Sequence, residues 1–151
     1  MLKTIFTLLK IMIPMGISIA VGIHTPFVLQ ERHQLIIEDT TGGPQEPQIL
    51  VIKDPGTLKA FYRQVNKTRK PGLAVPKIDF ANEFIVILCM GTRKSLGYST
   101  RITHTEVKNK ILTVYVKETI PNDTSAYVLT EPFSIYKING VYESVVFKKE
   151  P

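Results

Sequence analysis

The stretch Phe84–Met90, which reads FIVILCM, decides the fold of this chain. Its seven consecutive apolar residues include several that are branched at Cβ, the side-chain shape that suits an extended, pleated backbone. An unbroken apolar run of this length is typical of a strand that is buried on both faces. The sequence therefore predicts a central strand here, with other elements covering both sides of its sheet.

Further strands are predicted on either side of this run. Before it, the apolar segments Leu35–Glu38 and Gln48–Lys53 have strand length, and the glycine- and proline-rich Thr41–Pro47 separates them as a loop. After it, Tyr98–Thr105 is half polar. Ile111–Lys117 alternates apolar and polar side chains, as expected of a strand with one buried face. Most neighbouring strands are therefore expected to be antiparallel.

Two tight turns are predicted in the second half of the chain. Lys108–Lys110 is short and polar, which favours a hairpin between the strands on its two sides. The apolar runs Phe133–Ile138 and Val141–Phe147 are separated by Asn139-Gly140, a dipeptide preferred in two-residue hairpin loops because both positions need a positive φ. We therefore predict a second hairpin there.

One helix is predicted between the early strands and the central one. Asp54 can cap its free N–H groups, and Pro55 suits its first position. An apolar stripe at helical spacing comes next, formed by Leu58, Phe61, Tyr62 and Val65. The predicted fold class is α+β, mainly β: an antiparallel sheet, or a small sandwich or barrel of about six or seven strands, with one amphipathic helix packed against it.

The first thirty residues differ from the rest of the chain. Their only charges are Lys3 and Lys10, and no charged residue occurs in the twenty positions from Ile11 to Gln30. That length is close to the roughly 20 residues needed to cross a bilayer, and lysine before an apolar run favours export of the chain beyond that run. We predict that 1–30 is a signal peptide, cut after a site such as Ser18–Ala20, or a retained signal anchor. Residues 31–151 are then a β-rich domain in a bacterial cell envelope.

Charge and cysteine content restrict the possible partners. Apart from Lys3 and Lys10, 17 basic and 13 acidic residues remain, a net charge of +4 that is spread along the chain. This positive charge is too low and too dispersed for a nucleic-acid interface, and none is predicted. Cys89 is the single cysteine and lies inside the apolar run, so no intramolecular disulfide can form and a small buried hydrophobe is expected.

No catalytic, metal-binding or cofactor-binding pattern is present in the sequence. The histidines His24, His33 and His104 are isolated, and HExxH, CxxC and GxSxG patterns do not occur. Gly91–Ser95 superficially resembles a phosphate-binding loop, but Arg93 stands where that loop needs glycine. We therefore predict no catalytic residue, no metal and no cofactor, and expect that the protein is not an enzyme.

From Asp79 to Ile138 the chain has an apolar strand that ends in glycine (FIVILCMG), a basic loop (TRKSL), Gly97-Tyr98, a VYVKET strand and the closing stretch LTEPFSIYKI. This order resembles the PrcB C-terminal domain family. That family has an apolar strand, then G-x-K-x-T-G-G-Y, a valine-rich strand, and P-[YF]-x-[IV]-x-[KR]. Ser95-Leu96 departs from the usual Thr-Gly. The matching positions are Gly91, Lys94, Gly97, Tyr98, Pro132, Phe133 and Lys137. The resemblance implies an exported, non-enzymatic accessory subunit of a surface protease complex, with a protein as its partner.

The segment 91–98 is the predicted contact site of that partner. Tyrosine and arginine are common at interface hot spots, and glycine lets a partner's backbone approach closely. The predicted partner-binding residues are Gly91, Arg93, Lys94, Gly97, Tyr98, Pro132 and Phe133.

Three alternatives remain open. Tyr98 could instead fill a sheet edge, with Arg93 and Lys94 simply solvated. Gly97-Tyr98 also resembles the binding loop of chagasin-type cysteine-peptidase inhibitors, so the loop could act as a plug. The third alternative is a small-ligand carrier or an unrecognised enzyme with a site between helix and sheet. The sequence leaves the oligomeric state undecided.

Overall fold

Seven strands and one α-helix make up the part of the chain that the computed structural model describes, residues 31–122 and 127–151. The predicted signal segment 1–30, with Ser18–Ala20, lies outside the described residues. In chain order the elements are β1 (His33–Asp39), β2 (Pro47–Ile52), α1 (Pro55–Val65), a 3-10 turn (Asn66–Thr68), β3 (Glu83–Met90), β4 (Ser99–Lys108), β5 (Ile111–Thr119), β6 (Phe133–Asn139) and β7 (Ser144–Glu150).

The strands form two separate sheets. The first has the order β1-β6-β3-β2 and is antiparallel throughout. The second has the order β4-β5-β7, in which β5 and β7 run parallel. The sheets pack face to face without closing into a barrel, and α1 covers the outer face of the first sheet. The prediction of a mainly β, α+β fold is confirmed, in its sandwich form.

Strand β3 is buried on both faces, as its sequence predicted. Alternate side chains, including Val86 and Leu88, enter the core between the sheets, while Ile85, Ile87 and Cys89 enter the core beneath α1. Burial raises the pKa of the Cys89 thiol to about 12, so the thiol is protonated at neutral pH and unreactive.

The predicted helix is confirmed in its start and its buried face. The side chain of Asp54 accepts a hydrogen bond from the Thr57 N–H at 2.8 Å, and Pro55 occupies the first turn. The residues buried along α1 are the predicted stripe, Leu58, Phe61, Tyr62 and Val65.

The hairpin predicted at Asn139-Gly140 is wrong. Both hydrogen-bonding edges of β6 are already occupied, by β1 and β3, so β7 has no place beside it. The chain instead crosses to the second sheet after Gly140 (φ 109°), and the Tyr142 hydroxyl donates to the Asn139 carbonyl at 2.7 Å. Strand β7 then pairs with β5.

The predicted hairpin at Lys108–Lys110 is confirmed. Asn109 and Lys110 have φ of 51° and 61° and join β4 to β5 as a two-residue loop. Positive φ at both positions matches the right-handed twist of the flanking strands.

A buried hydrogen bond joins the two sheets. The Ser134 hydroxyl on β6 donates to the Thr100 carbonyl on β4 at 2.8 Å, and Ser134 is fully buried. We expect Ser134→Ala to lower the free energy of unfolding by roughly 1–3 kcal/mol, because the carbonyl loses this donor in a dry core. Urea denaturation of the full chain measures the loss, with exposed Ser144→Ala as the control. Equal midpoints for the two variants would contradict the assignment.

Candidate functional site: the loop end of the sandwich

The loop 91–98 leaves the first sheet at the end of β3 and enters the second sheet at β4. Two other segments lie beside it at this end of the molecule: 40–46, which joins β1 to β2, and 127–132, which leads into β6. We call these three segments together the loop end.

Gly91 begins the loop. Its backbone conformation and the close approach of neighbouring atoms both disfavour any residue with a side chain. Its φ is 72°, and a Cβ at this position would lie 2.7 Å from Pro47 Cδ and 2.8 Å from the Gln45 carbonyl oxygen. The next N–H, of Thr92, donates to that same carbonyl at 2.9 Å. The close contact therefore fastens the start of the loop to the segment before β2.

A short antiparallel bridge fastens the middle of the loop to the segment 127–132. The Arg93 N–H donates to the Thr130 carbonyl at 2.8 Å, and the Thr130 N–H donates back at 2.9 Å. The Val128 N–H donates to the Lys94 carbonyl at 3.2 Å. The buried Thr130 hydroxyl donates to the Ser95 carbonyl at 3.0 Å. The loop is therefore held by backbone pairing on a neighbouring segment.

Arg93 and Tyr98 approach each other across the loop. The guanidinium carbon lies 5.5 Å from the centre of the Tyr98 ring, within range of a cation–π interaction. Both side chains are half-buried, and Nε of Arg93 has no hydrogen-bond partner among the described residues. Lys94 is exposed to solvent, and Gly97 turns the chain with a φ of 89°.

The predicted contact residues separate into an accessible and an inaccessible group. Lys94 and Gly97 are exposed, and Arg93 and Tyr98 are partly exposed. Gly91, Pro132 and Phe133 are buried. The Phe133 ring packs edge-on against Phe61 of α1, with centroids 6.0 Å apart. In this conformation these three residues do not face solvent.

Lys137, which matches the family pattern, is remote from the loop. Its ammonium forms a salt bridge with Glu83 at 3.2 Å, at the opposite end of the first sheet. The structure therefore separates it from the other motif residues.

Exposed apolar side chains surround the loop, and sequence reasoning missed them. They lie on the loop itself, on the segment after β5 and on the segment before β6, and they are exposed to between 42% and 70%: Leu96, Ile120, Tyr127, Val128 and Leu129. Apolar clusters on a domain surface mark interaction sites. The signal in the sequence was the consecutive apolar run Tyr127–Leu129.

The described residues contain no cluster of metal-binding side chains. Within 31–122 and 127–151, no group of three or more His, Cys, Asp or Glu side chains could hold a metal ion. His104 lies on the outer face of the second sheet, stacked on Tyr115 with ring centroids 4.0 Å apart. No helix in the same ranges is long and apolar enough to cross a bilayer.

Comparison with known families supports the same order of motifs. Residues 84–139 match the family model described as PrcB C-terminal. No match was found among curated proteins or among solved structures. The matched residues run from the start of β3 to the end of β6 and include the whole loop 91–98. The segment 84–139 of this chain is thus similar to the PrcB C-terminal family.

Proposed function

We propose that this protein is an exported, non-catalytic accessory subunit of a protease complex, and that it docks on its partner through the loop end. The family match supports the class of complex. The observation that carries the docking site is the exposure of several large apolar side chains at the end of the molecule where Arg93 and Tyr98 meet.

The chemistry of the loop end suits a protein interface. Tyr127 and Leu129 would bury apolar area against a partner, and Tyr98 adds a hydroxyl to a rigid ring. Arg93 and Lys94 place positive charge beside this apolar surface. The preferred partner surface is therefore apolar at its centre and acidic at its rim.

Topology places the loop end and the start of β1 at opposite ends of the first sheet. Strands β1 and β3 both pair antiparallel with β6, so they run in the same direction. Strand β1 begins at His33, opposite Ile138, at the end of the sheet remote from the loop. The length of β3 separates the two ends by roughly 25 Å. An anchor retained at 1–30 would therefore present the loop end outward from the membrane.

Site-specific cross-linking tests this proposal. A photoreactive amino acid at Leu129 is expected to capture a peptidase from native envelopes, identified by mass spectrometry. The matched control is the same amino acid at Val141, which is 76% exposed at the other end of the first sheet. Equal capture of the peptidase from both positions, or capture of no peptidase from Leu129, would contradict docking through the loop end.

Substitutions at the loop test which side chains carry the docking. We expect Tyr98→Ala and Arg93→Glu each to weaken capture of the cross-linked peptidase about tenfold or more, because both side chains are typical of hot spots. Thermal unfolding should change little, since both residues are partly exposed. The control Val141→Glu should leave capture unchanged. Undiminished capture by both loop variants would remove them from the interface.

A second candidate function is peptidase inhibition by insertion of the loop 91–98. The observation that favours it is the convergence of two further segments, 40–46 and 127–132, beside that loop. Titration against purified cysteine and serine peptidases separates the candidates. An inhibitor abolishes activity at stoichiometric concentration, whereas an accessory subunit leaves activity intact or raises it.

A further inference from the structure

The positive charge of the domain is concentrated in one segment. Residues 55–78 contain six basic side chains and no acidic one. The rest of 31–151 contains 11 basic and 13 acidic side chains, a net charge of −2. The six are Lys59, Arg63, Lys67, Arg69, Lys70 and Lys77. This segment comprises α1 and the chain immediately after it, so the helix layer is cationic while the sheets are close to neutral.

Most of this charge has no counter-charge in the described part of the chain. Arg69 pairs with Asp39 at 2.7 Å, and the other five form no salt bridge within residues 31–122 and 127–151. Lys59 and Arg63 stand four residues apart, so they are neighbours on the exposed side of α1. Like charges at this spacing oppose the helix slightly, so folding alone does not account for them.

These two cations border a cleft of about 600 Å³. It is lined by Gly56, Lys59, Tyr62, Arg63, Asn66 and Val75. The Asn66 side chain fixes one wall, because it donates to the Leu73 carbonyl at 2.9 Å and accepts from the Leu73 N–H at 2.8 Å. The helix and the segment after it are thereby held together around a preformed groove.

Tyr62 is the buried residue among those that line the cleft. The residue is 1% exposed, and its hydroxyl has no partner among the described residues. Burial raises the pKa of Tyr62 to about 12, so the hydroxyl stays protonated and can donate. A buried, unpaired hydroxyl costs free energy, and an acceptor on a ligand would remove that cost.

We propose that this cleft binds an acidic peptide segment of a partner protein. Its carboxylates pair with Lys59 and Arg63, an apolar side chain packs on Val75, and a peptide oxygen accepts from the Tyr62 hydroxyl. The charge of the helix layer selects an acidic ligand, and the size and open form of the cleft suit a peptide more than a single small anion. A flat lipid surface would contact the outer lysines but not the Tyr62 hydroxyl. The site is separate from the loop 91–98 and does not depend on its proposed role.

Fluorescence anisotropy of the full chain in neutral detergent tests the proposal. The probe is a labelled octapeptide of alternating glutamate and valine, and its lysine–valine counterpart is the control peptide. We expect binding of the acidic peptide alone. Affinity should fall about tenfold or more in Arg63→Glu and by less than about twofold in Arg101→Glu, an exposed arginine on β4. Tyr62→Phe keeps the ring and should weaken binding several-fold.

Two further measurements, on a loop variant and on lipid vesicles, complete the test. Tyr98→Ala should bind the acidic peptide normally, so failure of the loop-end proposal and failure of this one are distinguishable. Equal affinity of Arg63→Glu and Arg101→Glu, or no binding of the acidic peptide, would overturn the site. Binding to phosphatidylserine-containing vesicles in preference to neutral vesicles would also overturn the site if the peptide fails to bind and Arg63→Glu abolishes the preference. That result would assign the positive charge to membrane binding.

Discussion

Replacing Phe133 with alanine is expected to lower the free energy of unfolding by about 3–5 kcal/mol. Its side chain is 1% exposed and lies in the core beneath α1, with its ring edge-on to Phe61 at 6.0 Å. Alanine would remove this aromatic contact and leave a cavity between helix and sheet that the backbone of β6 cannot close, since β6 is paired on both sides. For a domain of this size the melting temperature should fall by roughly 10–20 °C.

Thermal and urea denaturation of Phe133→Ala and Phe133→Leu measure this effect. Leucine refills part of the space, so its loss should be well under half of the alanine loss. The exposed Leu96→Ala is the surface control and should lie within about 0.5 kcal/mol of the unsubstituted chain. A Phe133→Ala protein as stable as Leu96→Ala would show that the ring is not part of the core and would return Phe133 to the accessible contact residues.

Gly91→Ala is expected to destabilise the loop end by about 2–5 kcal/mol. A φ of 72° costs a non-glycine residue roughly 1–2 kcal/mol. The new Cβ would also lie 2.7 Å from Pro47 Cδ and 2.8 Å from the Gln45 carbonyl oxygen. To relieve this clash the chain before β2 must move, which breaks the Thr92–Gln45 hydrogen bond. This movement costs a further 1–3 kcal/mol or so.

Gly97→Ala is the matched control for that substitution. It has a similar φ of 89°, but among the described residues its added Cβ would meet only the Pro121 side chain, at 3.0 Å. The two variants share the backbone strain and differ in the close approach, so Gly91→Ala should be the less stable by about 1 kcal/mol or more. Hydrogen exchange of the Thr92 N–H reports the local effect. Equal stability of both variants would mean that the contact at Gly91 yields without cost.

Strand β3 and helix α1 were predictable because their signals lie in consecutive residues. Seven apolar residues in a row cannot form a half-exposed element, so Phe84–Met90 had to be buried on both faces. Asp54 and Pro55 begin the helix, and the apolar stripe after them fixes its buried side. The loop 91–98 was located in the same way, from glycines and a tyrosine close together in the chain.

Strand pairing and the composition of the candidate site were decided by tertiary structure. Asn139-Gly140 has the residues of a tight hairpin, yet β6 pairs with β1 on one edge and with β3 on the other. This pairing depends on residues that are far apart in the sequence. The exposure of side chains at the loop end also depends on residues that are far apart in the sequence. Thr130 meets Arg93 across more than thirty residues of chain, and Phe133 is withdrawn from the surface by Phe61. Periodicity, caps and glycines act over a few residues, whereas pairing partners and burial depend on which surfaces remain free after the chain has folded.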